Sequence, residues 1–284
     1  MLGGRFGCYP QRGNTMSSSY DVRNIDWNQV WGQNTSFPYS AEEWDERVES
    51  FSEHVMHSNY ASDFVNFLRP QAQWTVFDMG CGCGTLALPL AKLVKTVTAA
   101  DFSPKMLSAL EQSATDLNIY NISTLKLSWT DDWGILPPKS HDVAIASRSM
   151  LVKDFRGAIE KLITVTKRGI YLSLPVNTAS GYDLAYQALT KNVRKTLDYS
   201  CCYNILYQMG IQANVTILRD YTLKIYCSDT EAIRQLTKRY EKDLNAGDMA
   251  ALKKYINCQL VQDNNGWHLK KQQPYQCAVI WWDV

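Results

Sequence analysis

The chain has 284 residues, a formal net charge of +1, 45% hydrophobic residues and 20% charged residues. This is a soluble globular composition with enough length for a sizeable core, which excludes a disordered chain. The near-neutral balance argues against a broad phosphate-binding field, and so against nucleic acid as the main partner.

Residues 1–24 are polar and rich in glycine and serine, so a disordered leader is expected there, with Met16 as an alternative start. The first residues lack the apolar segment of a signal peptide. No uninterrupted apolar run approaches about 18 residues, so no membrane association is expected.

From residue 25 the texture turns aromatic, and residues 25–72 read as an N-terminal helical cap. Ala41 to His57 has helical rhythm, with Ser40 as N-cap and Glu43 at the capping-box position. A second helix is expected from Tyr60 to Leu68, stopped by Pro70.

Trp74 to Met79 is a short apolar strand, followed by a turn with Gly80, Gly82 and Gly84 and an apolar helix from Leu86 to Leu93. Alternating glycines allow positive φ and close approach of a ligand, and the helix start aims unpaired N–H groups at it. The spacing is not that of a dinucleotide fingerprint, whose third glycine would fall where Thr85 stands. Lys95 to Asp101 is a second strand ending in an acid that can accept ribose hydroxyls. Ser103 and Pro104 then suit the N-cap and first position of a helix.

Further strands are expected at Leu125–Trp129, His141–Ala146 and Gly169–Leu174, with a helix over Phe155–Thr166 before the last of these. Such alternation predicts a doubly wound parallel sheet. Beyond it, helices are expected over Tyr182–Asp198, Tyr203–Met209, Asp229–Leu244 and Met249–Ile256. Strands are expected at Ala213–Leu218, Thr222–Cys227 and Gln276–Trp282.

The run Asp78 to Gly84 (D-x-G-x-G-x-G) and the run Asp101 to Leu107 (D-F-S-P-x-M-L) resemble class I S-adenosylmethionine-dependent methyltransferases. The cap segment from Trp44 to Phe51 (W-D-E-R-x-x-x-F) is similar to the same family. The resemblance implies a doubly wound, mostly parallel seven-stranded α/β sheet with an antiparallel last strand. With it come a helical cap, a cofactor-binding core over residues 73–227, and a helical insertion plus final strand over residues 228–284.

It further implies S-adenosylmethionine as cofactor, leaving as S-adenosylhomocysteine. The cofactor-binding residues it points to are Asp78, Gly80, Cys81, Gly82, Gly84, Asp101, Phe102, Met106, Trp129, Thr130, Asp131 and Ser147. Asp78 would serve the ammonium and Asp101 the ribose. Trp129, Thr130 and Asp131 (or Asp132) would meet the adenine. Asp101→Ala is expected to weaken cofactor binding and leave the fold intact.

The expected acceptor is a small molecule. The exit of the fourth strand is Ser147-Arg148-Ser149-Met150, not the N/D/S-P-P-Y/F run of enzymes that methylate bases. Arg148 is a candidate clamp for a substrate carboxylate, or else one half of a structural ion pair. His57 is a candidate base, with a packing or surface role as the alternative. The four histidines have no metal-ligand spacing, and no metal is expected. Eight cysteines without a C-x-x-C pair predict reduced thiols and a cytoplasmic protein, with the vicinal Cys201-Cys202 read as incidental. The competing functions are a nicotinamide-dependent oxidoreductase and a non-catalytic module that binds S-adenosylmethionine.

Overall fold

A computed structural model of the chain describes residues 24–34, 40–46, 48, 58–176, 186, 189–190, 199–220, 224–241, 244–271 and 275–284. The expected leader, His57, and most of the helix expected over Tyr182–Asp198 lie outside the described residues.

One seven-stranded sheet carries the fold. Five strands run parallel: β1 (Thr75–Met79), β2 (Thr96–Asp101), β3 (Ile122–Lys126), β4 (His141–Ser147) and β5 (Thr166–Pro175). β9 (Tyr275–Asp283) lies antiparallel between β5 and β6 (Asn214–Asp220). The spatial order is β3-β2-β1-β4-β5-β9-β6. The central strands are continuous apolar runs because helices cover both faces. Alternate residues serve opposite layers. Phe77, Met79, Ala144 and Ala146 pack with α6 (Phe155–Val165) and α7 (Tyr199–Gln208). Val76, Val143 and Ile145 pack with α3 (Tyr60–Leu68), α4 (Ala87–Ala91) and α5 (Pro104–Asp116).

The N-terminal helices tie the cap to the strand exits. α1 (Trp27–Asn34) buries Trp31, whose Nε1 donates to Val152 O at 2.7 Å and whose ring meets Phe155 edge-on at 5.3 Å. α2 (Ala41–Asp45) opens with the expected capping box between Ser40 and Glu43. Asp45 accepts from the Ser103 hydroxyl and from Lys105 N, so α2 is fixed to the start of α5.

Three expectations need correction. The third strand ends at Lys126 rather than Trp129, because β2 stops at Asp101 and offers no pairing partner beyond that register. The strand expected over Thr222–Cys227 reduces, among the described residues, to a single bridge between Tyr226 and Trp267. The segment before β9 is not wholly helical. It comprises α8 (Asp229–Thr237), a 3₁₀ turn (Lys238–Tyr240), α9 (Ala246–Gln259) and a hairpin of β7 (Leu260–Asp263) and β8 (Gly266–Leu269). This insertion has its own small core, in which Tyr240, Leu252 and Ile256 are buried. No helix among the described residues is long and apolar enough to cross a membrane.

Candidate cofactor and acceptor site

A cavity of 810 Å³ lies over the carboxyl ends of β1, β2 and β4, where open parallel sheets bind ligands. Each glycine of the first turn answers a different demand. Gly80 adopts φ +73° and a Cβ there would run into Ser149 Cβ, so close packing forbids a side chain. Gly82 adopts φ +54°, lines the cavity and donates its N–H to Asp101 Oδ2 at 2.9 Å. Gly84 adopts φ +94° and sits against Leu110 and Leu88, behind the cavity rather than in its lining.

Asp101 is buried and its other oxygen accepts from Ser103 N at 2.9 Å. Burial pushes its carboxyl above the ordinary value, against the pull of three backbone donors at Ser103, Gly82 and Phe102. Asp78 is in a harsher position. It is 2% exposed, its Oδ2 has no hydrogen-bond partner among the described residues, and burial, helped by the charge of Asp101, pushes its pKa to about 7. Thr85 Oγ1, in the lining of the same cavity, is also buried without a partner among the described residues. A lone carboxylate and a lone hydroxyl facing one cavity are costly unless a ligand completes them. A ligand that brought a cationic donor to Asp78 and a polar group to Thr85 would satisfy both atoms.

Of the other residues predicted from sequence, Cys81, Phe102, Met106, Trp129, Thr130 and Ser147 line the cavity. Burial holds the Cys81 thiol well above its ordinary pKa, so it offers bulk and not a nucleophile. Asp131 does not line the cavity. Its Oδ2 accepts from Ser128 N at 2.8 Å, stabilising its own turn, while Asp132 likewise accepts from Gly134 N. The residues facing the cavity from that turn are Ser128, Trp129 and Thr130.

Sequence reasoning missed several lining residues. Lys161, in the second turn of α6, donates to the carbonyls of Trp129 and Asp131 at 2.8 and 2.7 Å and so fixes that turn. Trp129 stacks on Trp133 and donates Nε1 to Ser149 O at 2.8 Å, joining the exits of β3 and β4. Trp44 reaches the cavity from the cap. Thr85 was visible only as the residue displacing a third glycine.

The β4 exit holds a second polar group. The Tyr60 hydroxyl donates to Ser173 Oγ and shares a hydrogen bond with Ser147 Oγ, both at 2.7 Å. Burial first of all raises the Tyr60 pKa to about 12, so the phenol stays protonated. The Arg148 guanidinium lies over the Tyr60 ring at 4.2 Å, not against an acid, which removes the structural ion pair from its two readings among the described residues. Cys201 and Cys202 are buried on α7 in the core, far from any role as an exposed thiol pair. His141 is buried at the opposite end of β4, hydrogen-bonded to Thr98 and Ser140. Among the described residues no three His, Cys, Asp or Glu side chains are grouped to hold a metal.

Residues 76–169 match the family profile of a methyltransferase domain. These residues form a methyltransferase domain. The nicotinamide-dependent alternative falls with that match. Over 246 residues the chain is 29% identical to an uncharacterized protein of Haemophilus influenzae, covering 85% of this chain and 88% of that one. It is 23% identical over 150 residues to the ribosomal RNA small subunit methyltransferase A of Wigglesworthia glossinidia brevipalpis, covering 49% of this chain and 58% of that one. In fold, the methyltransferase domain is similar to a methyltransferase-class protein of Bacillus halodurans C-125, with a TM-score of 0.53 and 12% identity over 78% of this chain and 97% of the other.

Proposed function

We propose that the cavity binds S-adenosylmethionine and that this methyltransferase passes the methyl group to a small-molecule acceptor. The observation that carries the reading is the pair of unpartnered buried atoms, Asp78 Oδ2 and Thr85 Oγ1, which fit the ammonium and carboxylate of an amino-acid end. Asp101 and Gly82 present the ribose position, and Phe102, Met106 and Trp129 present apolar and aromatic surface for a purine.

When bound, the cofactor supplies an electrophilic methyl on a sulfonium, so the acceptor displaces a neutral thioether and the cation is discharged. The protein's share is alignment and exclusion of water. Trp44 from the cap, together with Leu151 and Val152 from the loop after β4, gives the cavity apolar walls. The protonated Tyr60 and the Ser147 hydroxyl orient polar groups at the β4 exit and do not remove a proton. The eight cysteines, which include no C-x-x-C pair, support a cytoplasmic location, where thiols stay reduced.

Thermal shift with S-adenosylhomocysteine against NAD tests the cofactor: stabilisation by the former alone is expected. A mass-spectrometric screen of candidate acceptors, looking for products one methyl heavier, tests turnover. A protein that binds the homocysteine product and methylates nothing in such a screen would be the non-catalytic module instead.

A further inference from the structure

We infer that Arg148 is the specificity residue for the acceptor, and that the acceptor is a small organic acid whose carboxylate the guanidinium receives. The inference rests on the cofactor reading above, because it assigns to the acceptor what the cofactor leaves unused.

The cations and acids around the cavity can be accounted for one by one. Lys161 spends its ammonium on the Trp129 and Asp131 carbonyls. Lys153 is exposed at the rim. Asp101 is engaged by the Gly82 and Ser103 amides, and Asp154 accepts from Gly157 N and Asn28 Nδ2 at the start of α6. Asp78 stands at the end of β1, with the amino-acid pole of the cofactor site. Arg148 is left. It is half-buried and lines the cavity, and among the described residues its side chain meets the Tyr60 ring and no acid. A guanidinium stacked on an aromatic face keeps its N–H edge free, and that edge matches a planar carboxylate in a bidentate pair.

The backbone is arranged for this as well. Arg148 holds φ +56°, a left-handed conformation uncommon for a residue with a side chain, and its N–H is tied to Ser173 O at 2.8 Å. Strain of this kind persists where surrounding structure enforces it, and it clusters at ligand sites. The adjacent Ser147 hydroxyl, held by Tyr60, offers a further polar contact beside the guanidinium. A single guanidinium suits a monoanionic carboxylate better than a dianionic phosphate monoester. On the cofactor reading, the cofactor's own carboxylate is already taken by the Thr85 hydroxyl.

The test measures binding of acetate, benzoate and indole-3-acetate, with benzamide and phenyl phosphate as controls, to full-length protein saturated with S-adenosylhomocysteine. Wild type is compared with Arg148→Gln and Arg148→Lys, with melting curves confirming that each variant is folded. At least one carboxylate should bind wild type, more tightly than benzamide and phenyl phosphate. It should weaken about tenfold or more in Arg148→Gln and partly recover in Arg148→Lys, as expected for loss of a bidentate charged pair. The affinity for S-adenosylhomocysteine should stay unchanged in both variants.

Three results would overturn the inference. One is no carboxylate binding to wild type. Another is equal carboxylate binding by Arg148→Gln. The third is a loss of S-adenosylhomocysteine affinity in Arg148→Gln, which would give Arg148 to the cofactor's carboxylate. If wild type fails to bind S-adenosylhomocysteine at the outset, it is the cofactor reading that has failed, and that shows before any acid is added.

Discussion

Asp101 accepts the Gly82 N–H at 2.9 Å, so the carboxylate proposed to receive the ribose also holds the glycine turn in shape. The same side chain accepts from Ser103 N at the head of α5. The sequence alone suggests that Asp101→Ala would affect only the cofactor, and the structure corrects this. Truncation strands the Gly82 and Ser103 donors, each costing on the order of 1–3 kcal/mol when buried. Asp101→Ala should therefore lower the melting temperature as well as the affinity for S-adenosylhomocysteine. Asp101→Asn keeps an acceptor oxygen and should melt closer to wild type. A melting curve and a titration on each variant check both halves.

Asp78 predicts a pH dependence of binding. Its folded pKa of about 7 lies above the value of about 3.9 for an unfolded chain. The folded state therefore holds a proton that the unfolded state has lost. The contribution of Asp78 to stability is greatest below about pH 4 and falls as pH rises toward 7. Binding runs the other way, since a ligand ammonium favours the ionised carboxylate. Affinity for S-adenosylhomocysteine should fall as pH drops below about 7, with proton release on binding. Calorimetry near pH 6 in two buffers of different ionisation enthalpy reads that proton directly. Asp78→Asn should abolish it.

The glycines predict two different failures. Gly84→Ala drives a Cβ into Leu110 at a positive φ, and overpacking of this kind costs about 1–3 kcal/mol. It should lower the melting temperature, with ligand affinity falling only as far as the fold loosens. Gly82→Val acts at the cavity wall and should lose S-adenosylhomocysteine binding outright. Side-by-side melting and binding data on the two variants separate packing from ligand contact.

Asp45 joins the cap to the cofactor site through the Ser103 hydroxyl and Lys105 N. Asp45→Ala should release α2, raise amide hydrogen exchange over residues 41–46, and weaken S-adenosylhomocysteine binding, because Trp44 leaves the cavity wall. Ser103 still caps α5 through Met106 N, so the sheet itself should be unaffected.

Much of this was legible in the sequence wherever one physical demand dominates. The apolar run of β1, the Tyr60–Leu68 helix and the Ser103-Pro104 helix start appear where periodicity and capping put them. The third strand slipped because β3 lies at the sheet edge with no fully buried position to mark its register. The β7–β8 hairpin hid behind the helices that precede it, whose pattern dominated the segment. At the site, Asp131 looked like a ligand because an acid in that turn can serve a ligand or its own backbone, and only coordinates distinguish the two. Thr85 and Lys161 were invisible for a related reason. Their roles depend on which wall or carbonyl they reach, not on neighbours in the chain.

The central claim is that Asp78 and Thr85 receive the amino-acid end of the cofactor. Isothermal titration of S-adenosylhomocysteine and of methylthioadenosine, which lacks that end, into wild type, Asp78→Asn and Thr85→Val tests it most directly. The account predicts that wild type prefers S-adenosylhomocysteine by about tenfold or more, and that each substitution erodes this preference while leaving methylthioadenosine binding nearly unchanged. Equal affinity of wild type for the two ligands, or variants that weaken both alike, would contradict it.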